Sequence, residues 1–205
     1  MIIFGKIMKK HTNKEQVLFS VAGFLTGTLL VCVGALVVYL VENVKWTVSH
    51  FVAGDLLFGL LLMLFISAAE EYLFRGIILR RLGRKMNAWL ALFISSVLFA
   101  AVHLTNPYIT PLAIVNIFLG GLVFGIAYML TRSLAYVIFF HFGWNFVQGP
   151  ILGFAVSGLP FESLLKIEII KDNLISGGVF GFEGSIICSI ILFVSFLVGV
   201  ILIEK

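Results

Sequence analysis

Long apolar runs separated by short polar links dominate this chain. The runs cover residues 17–41, roughly 51–82, 88–104, 112–130, 134–148 and 185–203. Each approaches the ~20 apolar residues that a helix needs to cross a bilayer. The pattern predicts an all-α polytopic bundle of about six spans. The first run is too long for a signal-peptide core and is read as a retained span. The links carry turn chemistry: two prolines in Thr105-Asn106-Pro107-Tyr108-Ile109-Thr110-Pro111, and Gly149-Pro150 at the end of the fifth run. Gly120, Gly121 and Gly125 in the fourth run are expected to let helices approach closely. Residues 151–184 break the rhythm with Glu162, Lys166, Glu168, Lys171, Asp172 and Glu183. They read as a loop with a short amphipathic or re-entrant piece.

Composition strengthens the membrane reading. Of the 205 residues, 61% are hydrophobic and 12% charged, against about 25% charged in a soluble domain. Residues 1–205 are therefore expected to form one membrane domain with the lipid bilayer as solvent. The net charge of +4 changes the picture through its placement. Lys6, Lys9, Lys10 and Lys14 precede the first run, and Arg80, Arg81, Arg84 and Lys85 close the second. Basic residues at span ends set orientation, so no nucleic-acid partner is inferred. Both clusters fall on one side of six alternating spans, with Arg132 and Lys205. That side is expected to be cytoplasmic, with both termini there, in a bacterial cell membrane. Cys32 and Cys188 sit in apolar runs and read as packed free thiols.

The exceptions are ionisable groups inside the runs: Glu70, Glu71 and Arg75 in the second, His103 ending the third, His141 and Asn145 in the fifth. A charge at mid-membrane costs about 2.5–3.5 kcal/mol on insertion scales, so such groups face the bundle interior and mark function. Glu71 and Arg75 share a helix face and can pair. Glu70 is turned about 100° away and is left without a partner in its own helix. His141 and Asn145 share a face, as do Phe99 and His103, where the ring could wall a site. Measured along each helix, the levels of Glu70, His103 and His141 differ by roughly 10 Å. Tilt can absorb that difference, and access is expected from the cytoplasmic side. A carboxylate can activate water, a histidine can orient it or protonate a leaving amine, and a histidine–asparagine pair can donate to an oxyanion. Together these are the parts for hydrolysing an amide.

At these residues the sequence resembles the CAAX protease and bacteriocin-processing (CPBP, or Abi) family of intramembrane proteases. Three motifs carry the likeness: Glu70-Glu71-Tyr72-Leu73-Phe74-Arg75 for EExxxR, Phe99-Ala100-Ala101-Val102-His103 for FxxxH, and His141-Phe142-Gly143-Trp144-Asn145 for HxxxN. Their order and spacing fit over residues 61–148, the expected catalytic core. The resemblance implies that Glu70 activates water with help from His103. It gives His141 and Asn145 the oxyanion, and Glu71 with Arg75 a supporting role. It implies a membrane-associated peptide or protein as substrate. Some members have been described as metalloproteases. Glu70, His103 and His141 could supply three zinc ligands, but Asn145 beside His141 suits an oxyanion better, so no cofactor is expected. The eukaryotic prenyl endopeptidases of this family have more spans than this chain.

Blander readings exist for each part. Glu71–Arg75 is first a structural pair, His103 alone could cap a helix, and His141 with Asn145 could be interhelical glue. Other membrane hydrolases are set aside because HExxH and GxGD are missing, and Ser157-Gly158 follows Ala155 where a rhomboid has glycine. Two non-enzymes remain as alternatives. One is a proton-coupled transporter, which would show matched repeats; the other is a catalytically silent immunity or scaffold protein of the same fold.

Overall fold

The computed structural model describes residues 11–48, 52–171 and 173–204. Lys6, Lys9, Lys10, His50, Asp172 and Lys205 lie outside them, and with them part of the orientation argument. Six helices make up most of the described chain: α1 (Asn13–Leu40), α2 (Ala53–Leu82), α3 (Ala88–Val102), α4 (Pro111–Thr131), α5 (Leu134–Phe146) and α6 (Ile186–Glu204). Local chemistry explains several of the starts. Thr12 and Glu15 form a reciprocal capping box at α1, and Asn87, Thr110 and Ser133 cap α3, α4 and α5 through their side chains.

Four helices, α1, α2, α4 and α6, are long and apolar enough to cross a bilayer. The chain is an integral membrane protein. Large side chains such as Leu25, Leu29, Phe58, Phe65, Phe193 and Leu197 are exposed along α1, α2 and α6, where lipid is the natural solvent. The two remaining helices are shorter than the expected spans, α3 with 15 residues and α5 with 13. Beyond Phe146 the chain continues as a π-helical turn, Val147–Ile151, with Pro150 inside it. A proline there removes one backbone donor and loosens the ladder, which is why the fifth run does not simply continue.

α1 lies against α5 along a glycine seam. A Cβ on Gly23 would strike the Tyr136 carbonyl, one on Gly27 the Phe140 carbonyl, and one on Gly143 the Phe24 carbonyl. Small residues four apart let backbones approach this closely. In α4, Gly121 is pressed against Ser96 and Gly125 against Leu92, as close approach requires. Gly120 behaves differently: nothing lies within 4 Å of where its Cβ would be.

The all-α expectation needs one correction. β1 (Val44–Val48) and β2 (Leu165–Ile169) pair antiparallel, with Trp46 opposite Ile167. Residues 151–184 thus hold a strand and two short 3-10 turns, with no amphipathic helix among their described residues. Both segments alternate apolar and polar residues, Val-Lys-Trp-Thr-Val and Leu-Lys-Ile-Glu-Ile, which is the period of a strand. The Trp46 indole also donates to the Leu152 carbonyl at 2.7 Å. The pairing ties the α1–α2 and α5–α6 connections together at one end of the bundle.

Candidate functional site

The second apolar run changes its winding at the candidate site. α2 is α-helical over Ala53–Glu71 and π-helical over Tyr72–Leu79, so the change falls directly after the two glutamates. A π segment frees carbonyls from the regular ladder and is frequent at functional sites. Ser95 of α3 donates its hydroxyl to the Phe74 carbonyl at 3.1 Å, satisfying one acceptor within this stretch. Arg75 remains within reach of Glu71, donating from Nη1 to Oε1 at 2.8 Å. Its Nη2 donates to the Gly121 carbonyl at 2.9 Å.

Glu71 also has a partner from another helix. His141 Nδ1 lies 2.9 Å from the same Glu71 Oε1. A carboxylate only accepts, so Nδ1 carries the proton and Nε2 is left facing away. The imidazole stacks on the Phe124 ring, with centroids 4.7 Å apart and planes 22° from parallel. Arg75 sits over Phe99 and Phe124, at 4.6 and 5.4 Å from the ring centroids. Glu71 and Arg75 are fully buried, and a bare charge there would be costly. Shared hydrogen bonds and ring faces offset that cost.

Glu70 has different neighbours. Its two carboxylate oxygens lie 3.9 Å from His103 Nε2 and 4.0 Å from His141 Nε2. Its side chain is 26% exposed, against 11% for His103 and 7% for His141. His103 reaches this level because α3 is short and ends there. It is the C-cap residue of α3, and its Nδ1 is 2.7 Å from the Phe99 carbonyl. A carbonyl accepts, so Nδ1–H donates and Nε2 again faces Glu70. The capping role and the placement toward Glu70 therefore coexist in one ring.

The structure thus brings together Glu70, Glu71, Arg75, Phe99, His103 and His141, the last also through a ring contact with Phe99 at 6.1 Å. Asn145 stands apart, one turn beyond His141. It is buried, and its Oδ1 has no hydrogen-bond partner. Spacing alone did not reveal the Glu71–His141 bond, the Phe124 stack or the Gly121 acceptor, which join residues far apart in sequence.

His103 and His141 both line a small cavity. Phe99, Asn116, Gly120, Phe124, Ser157 and Glu183 also line it. Ser157 and Glu183 belong to the α5–α6 connection, which packs on the α3–α4 connection where Asn106 donates to the Ser157 carbonyl at 3.0 Å. Several lining residues, His103, Ser157 and Glu183 among them, thus come from the end of the bundle opposite the basic α2–α3 turn, His103 lying at the far end of α3 from that turn.

A buried Glu–Arg–His core and a second carboxylate facing two imidazoles thus lie side by side inside a helical membrane bundle. Residues 52–147 match the family described as type II CAAX prenyl endopeptidase Rce1-like, and this segment of the chain belongs to that family. The match runs from the start of α2 to the end of α5 and contains all three motifs. No curated protein and no solved structure matches the chain.

Proposed function

We propose that the protein is an intramembrane endopeptidase that hydrolyses a peptide bond of a membrane-associated protein or peptide. The observation that carries this reading is the Glu70 carboxylate set 3.9 and 4.0 Å from the Nε2 atoms of two histidines, within a domain of a prenyl endopeptidase family. Those separations are too long for direct hydrogen bonds and suit one bridging water. Glu70 takes a proton from that water, with His103 Nε2 orienting it, and the water oxygen attacks the scissile carbonyl carbon. The oxyanion receives hydrogen bonds from protonated His141 Nε2 and from the amide of Asn145. Collapse breaks the C–N bond, and the proton held by Glu70 passes to the leaving amine.

Zinc is a poorer fit to these donors. Tetrahedral ligands at about 2.0–2.2 Å from a common ion lie roughly 3.2–3.6 Å apart, less than the observed 3.9 and 4.0 Å.

The test is to purify the protein in detergent and offer it a membrane-peptide library, with cleavage read by mass spectrometry. Wild type is expected to cleave and Glu70→Ala to show none; cleavage that persists in Glu70→Ala would overturn the proposal. For the membrane arrangement we propose six spans with the basic ends cytoplasmic. Reporter fusions after Arg84 and at the C-terminus should then report cytoplasm, and one within residues 152–171 the opposite side. Termini on opposite sides would show the span count to be wrong.

A further inference from the structure

The cavity lined by His103 and His141 is also lined by a carboxylate residue, Glu183. Glu183 lies in a 3-10 turn, Phe182–Gly184, just before α6. Asn116 of α4 anchors that turn, donating its amide to the Glu183 and Ser185 carbonyls, each at 2.8 Å. The Asn116 oxygen in turn accepts from Ser189 at 2.6 Å. The Glu183 side chain is oriented by Ser157, whose backbone N–H and hydroxyl donate to Oε2 at 2.6 and 2.9 Å. Ser157 holds a positive φ of 49° to do so, a conformation that costs a non-glycine residue free energy. The other oxygen, Oε1, has no hydrogen-bond partner among the described residues, and no cation among them pairs with this carboxylate.

A part-buried carboxylate oxygen that faces a cavity is open to a donor from outside the chain. Ile117, Phe124 and Leu192 give the same cavity apolar lining. Gly120 widens it, since a Cβ there would meet nothing within 4 Å. A cavity with apolar side chains and a carboxylate among its lining suits an aliphatic stem with a cation at its tip. We propose that Glu183 is a specificity-determining residue: the cavity takes a lysine or arginine side chain next to the scissile bond. The stem lies over Gly120 and Ile117, and the cation meets Glu183 Oε1. This inference rests on the proposed peptidase activity, because the histidines lining the same cavity are where the scissile carbonyl would lie.

Binding and cleavage are measured separately so that the two readings fail separately. The probes are fluorescent apolar peptides in detergent micelles, with one lysine walked through the sequence, each paired with a twin carrying norleucine there. Norleucine keeps the stem and removes the charge. On full-length Glu70→Gln protein, which holds substrate without turning it over, at least one lysine peptide should bind about tenfold or more tighter than its twin. That ratio should fall to about one when Glu183→Gln is added. Gly120→Leu should weaken both twins by filling the space meant for the stem, and Glu183→Asp, which keeps the charge but draws it back by one methylene, should lower the lysine preference and serves if Glu183→Gln fails to fold. Twins that bind equally at every position, or a lysine preference that survives Glu183→Gln, overturn the role of Glu183. Wild type that cleaves both twins equally leaves the peptidase standing and removes this inference. Lysine-selective binding without cleavage by wild type keeps the cationic subsite and overturns the peptidase.

Discussion

Glu70 and Glu71 are neighbours in the chain and belong to two different halves of the polar cluster. The inner half, Glu71 with Arg75 and His141, is sealed from solvent and held by contacts of 2.8 and 2.9 Å. The outer half, Glu70 with His103 and the far side of His141, is partly open and held at 3.9 to 4.0 Å. The difference shows how a bundle can keep one carboxylate available. The inner groups hold each other, with Glu71 Oε2 and Arg75 Nε left without a hydrogen-bond partner. They fix the tautomer of His141 so that its Nε2 faces Glu70, and the Phe99 carbonyl does the same for His103. In the proposed reaction the sealed half holds the open half in place for a reactant.

The largest effect is expected from Glu70→Gln. Turnover of the peptide library should fall to background while the amount of folded protein stays near wild type. A comparable loss of folded protein would make the outer half structural too. Next comes Arg75→Ala, which strands the buried Glu71 charge and should cost about 3–5 kcal/mol of stability. Thermal unfolding in detergent, or folded yield after solubilisation, reads this, and Glu71→Gln should move the same way. Asn145→Ala should slow turnover by about 10²–10³, roughly 2.7–4 kcal/mol of transition-state stabilisation, with little change in folded yield. An unchanged rate would remove Asn145 from the oxyanion role and leave His141 alone there. The smallest expected effect is that of Ser95→Ala, which removes the hydroxyl from the Phe74 carbonyl and should cost about 1 kcal/mol. Calorimetry in detergent measures it, and a much larger loss would mean that the π segment depends on this one bond.

What the chain revealed beforehand follows the range of the forces involved. Helices were visible because apolar runs are local, and the Glu71–Arg75 pair because residues four apart meet on one face. The separation of Glu70 from Glu71 was visible for the same reason. The Glu71–His141 bond joins α2 to α5, and no periodicity within either helix encodes it. The π-helical stretch is a tertiary outcome, since Tyr72–Leu79 is unremarkable as helix-forming sequence. The strand pair was legible in its alternation, yet segments of five residues are short evidence between long apolar runs. Glu183 was passed over among several charges of an irregular segment. Its significance depends on Asn116 and Ser157 folding it into the cavity that the histidines line.

The brevity of α3 has a consequence for the lipid around it. Fifteen residues give a rod of about 22 Å, while a hydrocarbon core measures about 30 Å. In the proposed six-span arrangement, the bilayer on the flank covered by α3 would have to pinch inward, or the helix stand upright in a local dimple, because headgroups follow the end of the apolar surface. That mismatch would bring interfacial water close to the depth of His103. A hydrolytic site can in this way be wetted from a thinned leaflet, with no pore through the protein.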